Sequence, residues 1–60
     1  MQLSEKELSC INDLLADEEL LTKKFKMLAE QTTDTELKDK FTDISAKHQK
    51  HFNSIYSLLG

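Results

Sequence analysis

Proline is absent from these 60 residues and the only glycine is the last one, Gly60, so nothing inside the chain breaks a helix through backbone chemistry alone. Arginine and tryptophan are absent too. Eight lysines stand against eleven acidic residues, and the net charge of −3 argues against nucleic acid or an anionic membrane surface as the main partner. A single cysteine, Cys10, excludes an internal disulfide and a zinc-thiolate site within one chain. It reads as a small apolar residue at the edge of a helix seam, with an interchain crosslink as the alternative. No apolar run exceeds three residues, and the run Met1 to Glu5 has no basic stretch leading into an apolar one. Neither a transmembrane nor a secretory segment is expected.

What remains is a chain with 38% hydrophobic and 32% charged residues, enough to fold but too short to build a thick core alone. A second subunit is the natural remedy. Helix boundaries are written in capping residues. Ser4-Glu5-Lys6-Glu7 forms a capping box, with the Ser4 hydroxyl facing a free amide of the first turn and Glu7 reaching back. Thr33 with Glu36 repeats that pattern inside Thr32-Thr33-Asp34-Thr35-Glu36, the one cluster of short polar residues. One all-α domain over 1–60 is therefore expected, with a helix over about 4–30, a turn over about 31–34 and a helix over about 35–59.

Three-and-four spacing picks out Ile11, Leu14, Leu21, Phe25 and Leu28 on the first helix, interrupted at Glu18. On the second it gives Leu37, Phe41, Ile44, His48, His51, Ile55 and Leu58. Glu19 with Lys23, Asp34 with Lys38, Glu36 with Lys40 and Asp43 with Lys47 place acid before base four residues apart, as on solvated faces. A short turn makes the helices antiparallel neighbours, so Leu28 should meet Leu37, Phe25 should meet Phe41 and Leu21 should meet Ile44. Glu18 then falls opposite His48, with His51 one helical turn further on. A second stripe of Leu8, Leu15, Phe52, Tyr56 and Leu59 sits beside the seam. Together with Ile11 and Ile55 it forms the expected interface of a homodimer, in which two hairpins close a four-helix bundle.

Of two readings of the midline residues the first leads and implies no cofactor, and the second, a metal site, is the alternative. In the first, Glu18 accepts from an imidazole N–H, Ser45 supplies His48 with another partner, and the polar seam lowers stability while disfavouring slipped pairings. In the second, Glu18, His48 and His51 hold a metal across the dimer. This arrangement resembles the way ferritin-like proteins set a carboxylate opposite a Glu-x-x-His motif, with His51 in the place of the motif's His and His48 where the bridging Glu would stand. Such a donor set suits Zn, Ni or Cu better than Fe. Catalysis is not expected, for no nucleophile stands against Glu18 and His48, and there is neither a phosphate loop nor a lid.

The stretch Leu14-Leu15-Ala16-Asp17-Glu18-Glu19-Leu20-Leu21-Thr22-Lys23-Lys24-Phe25, followed by Ala29-Glu30-Gln31 and Thr33-Asp34-Thr35-Glu36-Leu37, resembles the first helix and turn of the coat F family of spore coat proteins. The second half, with Phe41, Ile44, Ser45, His48, His51, Phe52, Ile55, Leu58 and Leu59, is similar to that family's second helix. The resemblance implies a ferritin-like, all-helical, non-enzymatic protein of the sporulating mother cell's cytoplasm and then of the spore coat. It further implies an assembly role, with a second copy or another spore coat protein as the partner. Longer relatives carry four helices in one chain, and this one supplies two.

Overall fold

A computed structural model describes residues 2–60. Two helices, α1 over Glu5–Gln31 and α2 over Thr35–Tyr56, are followed by one 3₁₀ turn over Ser57–Leu59. They pack side by side as an antiparallel hairpin of 46 × 14 × 10 Å.

The first cap forms as its sequence dictates. The Glu7 amide donates to Ser4 Oγ at 3.1 Å, and the Ser4 amide donates to Glu7 Oε1 at 3.0 Å. This carboxyl is held below its usual range, first by the Ser4 backbone N–H and second by the Ser4 hydroxyl. The second cap differs from expectation. Asp34, not Thr33, caps α2, with Oδ1 accepting from the Leu37 amide at 3.1 Å. A carboxylate at this position both accepts the orphan N–H and lies against the positive end of the helix dipole, a stronger combination than a threonine hydroxyl offers. Leu37 three residues on cannot reach back, so no box closes.

The connection needs neither glycine nor proline because it stays extended. Thr32 (φ −76°, ψ 142°) and Asp34 (φ −82°, ψ 117°) both lie in the extended region, and among the described residues no residue other than glycine has positive φ. The Thr32 amide closes α1 on the Leu28 carbonyl at 3.1 Å, and Thr32 Oγ1 accepts from the Asp34 amide at 3.2 Å. At the far end α2 stops three residues before the expected boundary. Ser57 Oγ donates to the Ser54 carbonyl at 2.6 Å and the last turn tightens to 3₁₀, a common way to end a helix.

The seam follows an alternating four-three step: Ile11, Leu15, Glu18, Thr22, Phe25 and Ala29 on α1, against Phe41, Ser45, His48, Phe52 and Ile55 on α2. Ile11, Leu15, Ala29 and Ser45 are its buried members. Leu14, expected in the seam, is 45% exposed, while Leu15, expected beside it, is 9% exposed. The reason is size. Ala29, Thr22 and Ser45 are small enough to let the backbones approach, and Ser45 Oγ donates across the seam to the Thr22 carbonyl at 2.8 Å. That contact sets the Leu15-Thr22-Ala29 column in the seam and places Leu14, Leu21 and Leu28 along one side of it, where Leu21 and Leu28 stay half-buried and Leu14 is exposed. Phe25 and Phe41 meet as expected, with ring centroids 6.0 Å apart.

Candidate functional site

Glu18 lies midway along α1 and projects from the seam toward α2. Its carboxylate reaches two imidazoles at once: Oε1 lies 3.1 Å from His48 Nδ1, and Oε2 lies 3.1 Å from His51 Nδ1. Oε2 is also 3.4 Å from His48 Nδ1. The three-residue step between the histidines is what puts both rings on the same side of α2. Expectation and structure agree on this convergence. One ligand atom from each of the three residues falls within 4.8 Å of the others.

The cluster is graded in exposure. Side chains of Glu18, His48 and His51 are 15%, 22% and 62% accessible, so the site opens outward through His51. Phe25 stacks on His48 with centroids 5.9 Å apart and 14° between planes, and the two imidazoles meet edge to face at 5.7 Å. The stacking role of Phe25 went unread in the sequence, although it stands seven residues after Glu18 and hence in the same column of the seam. Below the site, Thr22 Oγ1 donates to the Glu18 carbonyl at 2.8 Å. Ser45 does not serve His48 as expected. It sits in the column facing Thr22, on the other side of the seam from Glu18, and spends its hydroxyl there.

Each Nδ1 contact to the carboxylate requires the imidazole to donate a proton, which leaves Nε2 of a neutral ring as its lone-pair nitrogen. The cluster therefore satisfies itself without help. Among the described residues no buried side-chain polar atom lacks a partner.

Contacts sort the surface columns as well. Because Glu18 touches both histidines while Thr22 touches Ser45, the columns Leu14-Leu21-Leu28 and Leu37-Ile44-His51-Leu58 border the same side of the hairpin. Leu14, Leu37 and Leu58 are 45%, 43% and 41% exposed there. The expected dimer residues divide. Ile11 and Leu15 are already buried within the single hairpin, and Phe52 and Ile55 are half-buried. Leu8, Tyr56 and Leu59 stay exposed at the open end, where Tyr56 stacks on Phe52 at 6.0 Å. Of the four expected acid–base pairs, Glu19–Lys23 closes at 2.9 Å. Cys10 is exposed.

No helix among the described residues is long and apolar enough to cross a membrane. Comparison with protein-family models, with curated proteins and with solved structures gives no match.

Proposed function

We propose that this hairpin is an assembly module that pairs with a second copy to form a four-helix bundle, and that its role is structural rather than catalytic. One observation carries the reading. A compact monomer of 6.9 kDa exposes about 4,000 Å², whereas this chain exposes 4899 Å². The excess of about 900 Å² follows from the elongated shape, 46 × 14 × 10 Å, and is of the same order as the roughly 800 Å² that each partner contributes to a standard interface, so side-by-side pairing of two hairpins offsets it.

The side bordered by Leu14, Leu21 and Leu28 on α1 and by Leu37, Ile44 and Leu58 on α2 is the face that pairing covers. Its residues recur every seven positions on both helices, the period with which helices of a bundle interlock. A second copy fits this surface better than an unrelated partner does, because both ridges have the same spacing and a two-fold axis through the middle sets each against its equivalent. The resemblance to coat F proteins supports the spore coat as the setting of such an assembly.

Sedimentation equilibrium of the purified chain, with Leu14→Glu as the control, tests the proposal. A dimer that the variant converts to monomer is the expected result. Leu14 is already 45% exposed in the hairpin, so the charge spares its fold and acts on the contact. A parent protein that stays folded and monomeric at the concentrations sampled overturns the reading, as does a variant that dimerises equally well.

A further inference from the structure

The Glu18, His48 and His51 cluster has the geometry of an ion site, and we infer that it binds a divalent transition ion of the zinc class. This goes beyond the assembly reading and does not depend on it, since all three donors belong to one chain.

Distances carry the inference. In a tetrahedral zinc site with bonds near 2.0–2.2 Å, neighbouring ligand atoms stand about 3.4 Å apart. Here one carboxylate oxygen, Glu18 Oε2, lies 3.4 Å from His48 Nδ1 and 3.1 Å from His51 Nδ1, and one ligand atom from each residue falls within 4.8 Å of the others. Two edges are thus already near the tetrahedral spacing, and an ion is seated by a rotation of the exposed His51 ring that brings its nitrogen toward that of His48. In a neutral imidazole the Nδ1 proton moves to Nε2 as the nitrogen lone pair turns to the metal, so proton number is unchanged. A cationic imidazole releases one proton to solvent.

The donor types narrow the ion. Two imidazoles and one carboxylate form a mixed nitrogen and oxygen set, which favours zinc and its neighbours over magnesium or calcium, whose sites are built from oxygen alone. Three protein ligands leave a fourth tetrahedral position for water or for a donor from outside the chain. The outward opening at His51 gives that position access, and Phe25 stacked on His48 fixes one ligand ring from behind. Position in the fold adds to this. The donors sit at the middle of the hairpin, each on a continuous helix, so none depends on a loop for its placement.

Protein purified without a polyhistidine tag and stripped with a chelator is titrated with Zn²⁺ by calorimetry and with Co²⁺ by visible absorption. Saturable binding of one ion per chain, tighter than about 10 µM, is expected, with the absorption of tetrahedral cobalt. His51→Ala removes an exposed side chain and leaves the hairpin folded, as far-ultraviolet circular dichroism checks. It should weaken zinc affinity at least tenfold, and Glu18→Gln should do the same. Absence of saturable binding, or a His51→Ala affinity within tenfold of the parent, overturns the inference. Because ions are counted per chain, a monomer that binds zinc refutes only the assembly reading, and a dimer that does not bind refutes only this one.

Discussion

Replacing His48 by Phe isolates the hydrogen bond at the centre of the hairpin. Phenylalanine keeps a ring against Phe25, where the present rings stand 5.9 Å apart, and deletes the Nδ1 that lies 3.1 Å from Glu18. The carboxylate, 15% accessible, is then left with His51 alone, whose own side chain is 62% accessible. A hydrogen bond to a charged group contributes about 1.5–3 kcal/mol, so His48→Phe should cost about 2 kcal/mol. His51→Ala, which removes a largely solvated partner, should cost less than about 1 kcal/mol. Changing Glu18, His48 and His51 together to Leu reverses the sign. The triple variant loses the pairing but also the penalty of desolvating it, and should be neutral or up to about 4 kcal/mol more stable. Thermal and urea melts, followed by circular dichroism at one fixed protein concentration with chelator present, read these differences. A loss of 2 kcal/mol lowers the melting temperature of a domain this small by roughly 8–16 °C. A His48→Phe variant within about 0.5 kcal/mol of the parent, or a triple variant as unstable as that single one, would refute the reasoning.

Two further outcomes follow from the helix ends. Asp34→Ala should destabilise the hairpin by about 1 kcal/mol, as loss of a cap does, whereas Thr33→Ala should stay within about 0.5 kcal/mol; equal effects in urea melts would show that the cap is misassigned. At the start of α1 the folded-state pKa of Glu7 lies below its ordinary value of 4.5, so the box contributes stability that is present above that value and is lost as pH falls through the lower one. The Ser4 amide shift, followed by NMR against pH, should turn over below 4.5, and a midpoint at or above that value would count against the box.

Helix existence and the Glu18–His48 register were legible because caps, the absence of breakers and a short connection all point the same way. Rotation of the helices about their axes was not. Apolar spacing favours Leu14, Leu21 and Leu28 as readily as Leu15, Thr22 and Ala29, and a hydrophobicity pattern weights leucine over threonine and alanine. The seam prefers the smaller set because close approach of two backbones, together with the Ser45 hydroxyl on the Thr22 carbonyl, outweighs the extra apolar area of the leucines. Ser45 misled for the same reason, since its role depends on which column faces which. The second cap was displaced by one residue because Thr33 and Asp34 are both competent caps, and the sequence pattern of a box favoured the weaker of the two.

The turn also bears on what the polar cluster is for. A connection of three residues, 32–34, fixes the antiparallel register within the chain by itself, because a slip of seven residues on one helix would require the link to span about 10 Å more. Glu18 is 13 residues from the end of α1 and adds little to that constraint. Register specification, the usual reason to retain a polar group in a helical seam, then applies with force only between chains, where no covalent link sets the alignment. Pairing through the Leu14 and Leu37 columns would bring His51 to the middle of that contact, since it occupies the column of Leu37, Ile44 and Leu58. A partly solvated imidazole there weakens a purely apolar interface. The same imidazole gains a role if it shares an ion with Glu18 and His48, or if the partner's equivalent residues fill the open fourth position. On this argument zinc should tighten dimerisation of the parent chain and leave that of His51→Leu unchanged, a comparison made by sedimentation with and without chelator. Equal zinc dependence in both proteins would separate the ion site from the assembly face.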